Sequence, residues 1–109
     1  MKRIGFLIKV KEEMIEDYKR RHEAVWPELL DAITRSGWHN YSLFMRDDGL
    51  LFGYFETPEG LEMALQNLAG EEANTSWQEY MKGFFEAASR GSGRADENMV
   101  ELQEVFHLD

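Results

Sequence analysis

The run Leu50–Glu56, LLFGYFE, constrains this chain more than any other stretch. It is apolar nearly throughout, so it reads as a central strand covered on both faces. Gly53 within it marks either a bulge or a point where another group comes close. Such a strand needs neighbours on both sides, and 109 residues supply material for one core and no more. Residues 1–109 are therefore read as a single domain.

The neighbours are legible from their periods. Arg3–Val10 alternates, with Ile4, Phe6, Ile8 and Val10 on one face and Gly5, Leu7 and Lys9 on the other. Lys11-Glu12-Glu13 then opens a helix whose apolar positions, from Met14 to Ile33, recur every three or four residues. Pro27 falls inside that pattern and predicts a kink or restart near Trp26. Gly37 is a natural left-handed end to the helix. Trp38–Met45 is the second strand, with Tyr41, Leu43 and Met45 facing one way, and Arg46-Asp47-Asp48-Gly49 supplies a hairpin turn into LLFGYFE. Thr57-Pro58-Glu59 reads as a helix start, Thr57 capping and Pro58 at the first helical position. A short amphipathic helix ends at Gly70. A second helix, from about Glu71, carries the stripe Trp77, Tyr80, Met81, Phe84, Phe85 and Ala88. Residues 89–98 are polar and glycine-containing, the composition of a flexible loop. Met99–Leu108 returns to strand, with Val100, Leu102, Phe106 and Leu108 on one face.

The order β-α-β-β-α-β is that of a ferredoxin-like α+β fold, one antiparallel sheet with helices on one face. The helices then cover only one side of a strand that wants cover on both. That conflict predicts a homodimer in which two sheets face each other, a dimeric α+β barrel.

Composition removes several classes of function. A net charge of −9 disfavours nucleic acid, whose phosphates demand clustered Lys and Arg. The local cluster Lys19-Arg20-Arg21 is interleaved with Glu16, Asp17, Glu23 and Glu28 and reads as a solvated helix face. With no cysteine there is no disulfide, thiol nucleophile or zinc–thiolate site. No apolar run reaches membrane-spanning length, and the N-terminus lacks the pattern of a signal peptide, which leaves the cytoplasm as the expected compartment.

The chemistry concentrates on Tyr18, His22 and Trp26, which are spaced four apart and would share one helical face. Histidine gives or takes a proton near neutral pH. From spacing alone, a core histidine satisfied by one hydrogen bond is the competing explanation, as a core aromatic is for Tyr18. His39 and His107 stand at strand ends, and the three histidines match no metal-ligand spacing, so no metal is expected. Trp77 serves either as core or as a platform for a sugar ring, and Tyr41 can offer a hydroxyl to the same ligand. With no phosphate-binding glycine loop, serine elbow or thiol, the expected chemistry needs no cofactor and runs on protons and shape: isomerisation, epimerisation, ring opening or enolisation.

Tyr18-x-x-x-His22-x-x-x-Trp26-Pro27-Glu28-Leu29, Gly37-x-x-Asn40-Tyr41-Ser42, Leu51-Phe52, Trp77-x-x-Tyr80-Met81 and the closing run from Glu101 to Phe106 together resemble the L-rhamnose mutarotase family. The resemblance spans nearly the whole chain and is most specific at YKRRHEAVWPEL. It implies a small, cytoplasmic, cofactor-free homodimer that interconverts the α and β anomers of L-rhamnose or a related 6-deoxy sugar. It makes His22 the catalytic proton donor, with Tyr18, Tyr41, Trp77 and Gln78 at the sugar. Gln78 is a departure, because the second member of that aromatic pair is Trp in the family's familiar bacterial form. Arg90-Gly91-Ser92-Gly93-Arg94 likewise stands where members often carry a proline- and asparagine-containing turn. On this reading an imidazolium at His22 protonates the ring oxygen, and Tyr18 orients the sugar or relays a proton. A cofactor-free dimeric α+β barrel monooxygenase and a non-catalytic sugar-binding dimer are the alternatives.

Overall fold

The computed structural model describes residues 1–85 and 99–109. Its elements are β1 (Lys2–Lys9), a 3₁₀ turn (Glu12–Met14), α1 (Ile15–His22), α2 (Pro27–Arg35), β2 (His39–Met45), β3 (Leu50–Thr57), α3 (Leu61–Ala69), α4 (Glu72–Tyr80) and β4 (Val100–Leu102). The four strands form one sheet in the order β2-β3-β1-β4, every pairing antiparallel. This is the ferredoxin-like α+β arrangement expected from the sequence.

Leu50–Thr57 is central, as its composition demands, lying between β2 and β1. Its inward residues Leu51 and Phe55 join Ile4, Phe6, Ile8 and Val10 in the core beneath the helices. Gly53 is a place of close approach: it stands opposite Phe6 across the β1–β3 ladder, and a Cβ built on it would clash with the end of the Phe6 ring, at Cζ. Phe55 stacks on Trp38 at 3.9 Å and 16°, and Trp38 Nε1 donates to the Ala64 carbonyl at 3.1 Å. That pair ties the sheet to α3.

The expectation of cover on both faces fails within the single chain. Phe44 and Phe52, stacked at 6.3 Å on the far side of the sheet, are 61% and 39% exposed. Leu102, opposite Gly5, and Val100, opposite Leu7, share that bare face.

The restart expected near Trp26 is present, and the stretch across Pro27 is two helices. The residue before a proline is pushed out of the α region, and Trp26 is extended (φ −61°, ψ 135°). Pro27 then opens α2, where the missing N–H costs nothing, and the Trp26 carbonyl accepts from Leu29 and Leu30. At the other end Gly37 takes φ +92°, with Gly37 N–H bonded to the Thr34 carbonyl and Trp38 N–H to the Ile33 carbonyl.

Three other expectations need correcting. Thr57 does not cap a helix; it is buried at the end of β3, and α3 starts only after Gly60, at φ +104°. The β1–β3 ladder runs as far as Lys2–Thr57, so sheet pairing outcompetes the local capping signal. The Trp77 stripe outlasts its helix: α4 ends at Tyr80, and Phe85 packs in the core through a bridge to Val10. The last strand is only Val100–Leu102, with Val105, Phe106 and Leu108 exposed. Among the described residues no strand pairs with the apolar alternation beyond Leu102. The expected loop at 89–98 lies outside the described residues.

Candidate active site

Helices α1, α2, α3 and α4 leave a cavity of about 260 Å³ above the inward face of β2. That is just under the range of about 300–1,000 Å³ that holds drug-sized ligands, and suits something smaller. The five residues that the family resemblance assigns to the site all line it: Tyr18, His22, Tyr41, Trp77 and Gln78. Aliphatic side chains such as Leu29, Ile33 and Leu68 fill the remaining wall. The chamber can thus take C–H faces and also offer hydrogen bonds.

Tyr18 and His22 are one helical turn apart on α1, and their rings stack at 4.1 Å and 25°. The shared face ends there. Trp26 lies beyond the helix and does not line the cavity; it packs edge-on against Trp77 at 5.0 Å and 87°. Trp77 in turn meets His22 edge-on at 5.5 Å. Trp26 therefore braces the wall behind the histidine.

His22 Nδ1 lies 2.9 Å from the Tyr18 carbonyl. A carbonyl only accepts, so Nδ1 carries the hydrogen and the neutral ring keeps its lone pair on Nε2. Burial holds the His22 pKa below its ordinary value, and the bond to the Tyr18 carbonyl offsets part of that fall. The resting side chain at neutral pH is therefore the uncharged imidazole, a proton acceptor first.

Burial pushes the Tyr18 phenol well above its ordinary pKa, with Tyr41 adding to the rise, and burial does the same to Tyr41. Both stay protonated as donors. Tyr41 reaches the cavity through an irregularity in β2: Asn40 takes φ +50°, and the ladder to β3 shifts register between His39 and Ser42. Below the ring lie Phe6 at 6.5 Å and Trp38 at 5.1 Å.

On α4, Gln78 Nε2 donates to Asn74 Oδ1 at 3.2 Å, and both side chains are buried. Asn74 was missed in the sequence reading, although it lies three and four residues before Trp77 and Gln78. Extending the inward stripe one turn toward the N-terminus would have marked it. His39 and His107 do not line the cavity, and His107 Nε2 instead pairs with Asp109 at 2.8 Å. Among the described residues no three His, Cys, Asp or Glu side chains gather as metal ligands.

A family model described as L-rhamnose mutarotase matches residues 3–108. The chain is 34% identical to the L-rhamnose mutarotase of Oceanobacillus iheyensis and 34% identical to that of Bacillus subtilis, over 100% of both partners in each comparison. The crystal structure of an L-rhamnose mutarotase from Formosa agariphila superimposes with a TM-score of 0.74 at 25% identity, covering 100% of each chain.

Proposed function

The chain belongs to the L-rhamnose mutarotase family, whose members are anomer-interconverting isomerases, and from that premise we propose how its cavity does this work. The substrate is a monosaccharide, L-rhamnose or a related 6-deoxy sugar, bound with its anomeric carbon at His22. Neutral His22 Nε2 takes the proton of the anomeric hydroxyl as the bond from C1 to the ring oxygen breaks. The phenols of Tyr18 and Tyr41, held protonated by burial, donate hydrogen bonds to the sugar oxygens. The imidazolium so formed gives its proton to the former ring oxygen. Both oxygens were bonded to C1, so one nitrogen serves both. Rotation about C1–C2 turns the other face of the aldehyde to the hydroxyl, and the same steps in reverse close the ring. One proton moves from one oxygen to the other, and nothing else is consumed.

The observation that carries this reading is the Nδ1–H bond to the Tyr18 carbonyl, which fixes the tautomer and leaves Nε2 for the substrate. The initial expectation began with an imidazolium; the lowered pKa favours a neutral base at the start and an acid only in the second half. An acid–base group so placed contributes about 10²–10⁴-fold, enough for a reaction that also runs unaided in water. Family membership favours this over the monooxygenase and the non-catalytic binder.

We also propose a single-domain, cytoplasmic homodimer that pairs the bare sheet faces. Phe44, Phe52 and Leu102 support it, since an exposed patch of this kind calls for a partner surface. Net charge −9 argues against nucleic acid, and among the described residues no helix is long and apolar enough to cross a membrane. The test is saturation-transfer NMR of L-rhamnose anomers. Wild type should speed exchange and His22→Ala should return it to the uncatalysed rate. Near-full activity in a folded His22→Ala protein would sink the assignment.

A further inference from the structure

Among the described residues, two buried side-chain polar atoms lack a hydrogen-bond partner: Ser36 Oγ and Asn74 Nδ2. Ser36 sits at the C-terminal cap of α2 and does not line the cavity. Asn74 does line it, and is 2% exposed. A buried amide is normally paired, so an unpaired one at a cavity wall points to a ligand.

The rest of the Asn74 side chain is fixed. Its Oδ1 accepts from Gln78 Nε2 at 3.2 Å, which sets the plane of the amide and the direction of Nδ2. Accepting that bond also polarises the amide and strengthens its free donor. We propose that Asn74, held by Gln78, is a sugar-reading residue whose side-chain amide hydrogen-bonds a ring hydroxyl remote from the anomeric carbon. The assignment rests on the mutarotase reading, which puts C1 at His22. Trp77 meets His22 edge-on, and Asn74 lies three residues before Trp77, almost one helical turn toward the N-terminus of α4 and so displaced along the wall from the His22 contact. Across a pyranose from C1 lie C3 and C4, so the hydroxyl is the one on either of these carbons. A hydroxyl both donates and accepts, so it answers either edge of the amide. The α4 wall then selects sugars that carry this hydroxyl, while His22 acts on any sugar that seats C1 beside it.

The experiment has two arms. First, L-rhamnose is titrated into uniformly nitrogen-15-labelled wild type, following the assigned Asn74 side-chain amide and the His22 ring. Both should shift with one saturation curve. Second, anomer exchange is measured for wild type and Asn74→Leu on L-rhamnose and its 3-deoxy and 4-deoxy analogues. Asn74→Leu should raise KM for L-rhamnose about tenfold with kcat nearly unchanged, since the contact is equally present in ground and transition states. Wild type should lose about as much on one deoxy analogue, and Asn74→Leu should lose nothing further on it. A merely structural Asn74 would lower rates on every sugar alike. If the His22 ring shifts and the Asn74 amide does not, or if Asn74→Leu keeps the wild-type KM, the proposal is overturned and the mutarotase reading stands. If wild type neither binds nor exchanges the sugar, that reading falls and the Asn74 assignment falls with it. Should Asn74→Leu fail to fold, the amide titration and the wild-type deoxy series decide alone.

Discussion

His22 donates its Nδ1–H to the carbonyl of Tyr18 at 2.9 Å while the two rings stack at 4.1 Å, so the backbone that carries the phenol also fixes the tautomer of the imidazole. The two groups to which we assign sugar orientation and proton transfer are thus set by one turn of α1, and disturbing either moves both.

The lowered His22 pKa has a signed consequence for rate and for stability. Because the proposed mechanism starts from the neutral ring, kcat/KM should stay flat from pH 8 down through the ordinary histidine value of 6.5 and fall only below it. For folding, the unfolded chain binds the proton more readily than the native state. His22 therefore costs no stability above pH 6.5, and stability is lost as pH falls from there through the folded pKa. Urea midpoints at pH 8 and pH 5 should show a larger acid loss for wild type than for His22→Gln. An equal loss in both proteins would remove His22 as the source.

Gly53→Ala should destabilise the fold by about 1–3 kcal/mol, the range for overpacking a filled core. The new methyl would clash with the end of the Phe6 ring, which is fully buried among other core side chains. Urea unfolding measures the loss, and Phe6→Leu in the Gly53→Ala background should recover part of it. Additive penalties in the double variant would show that the clash is elsewhere.

Phe52→Glu should turn a dimer into a monomer. Phe52 stacks on Phe44 in the bare face, and a carboxylate there would have to be buried without a partner if two sheets met. Light scattering after size exclusion reads the mass directly. A wild-type protein that is already monomeric at micromolar concentration would rule out the proposed assembly.

Trp26→Ala should cost about 2 kcal/mol of stability and raise KM more than it lowers kcat. Trp26 is half-buried and braces Trp77 edge-on, so its loss loosens a cavity wall without removing His22. Trp26→Phe, which keeps an aromatic edge, should recover most of the effect in steady-state exchange measurements.

Much of this is legible in the amino-acid sequence. Period-two alternation in β1 and the apolar run of β3 name strands because side chains alternate across a pleat, and Gly37 and Pro27 mark helix ends because backbone sterics are local. The failures were also local signals, overridden by longer-range pairing. Thr57 looked like a cap and became the last rung of a ladder with Lys2. The tail after Leu102 alternates like a strand, but among the described residues no strand pairs with it.

The candidate site divides along the same line. The sequence alone determined that Tyr18 and His22 would be neighbours, because four residues on a helix put two rings on one face whatever else folds around them. Only the tertiary structure decided that Tyr41 from β2 and Trp77 and Gln78 from α4 would close around them, and that Trp26 would stand behind the wall. It alone revealed Asn74 as a buried amide with a donor left over. Spacing fixes what lies within a turn of helix. Burial, tautomer and an unpaired hydrogen bond are properties of what packs against that turn, and they exist only once distant segments have met.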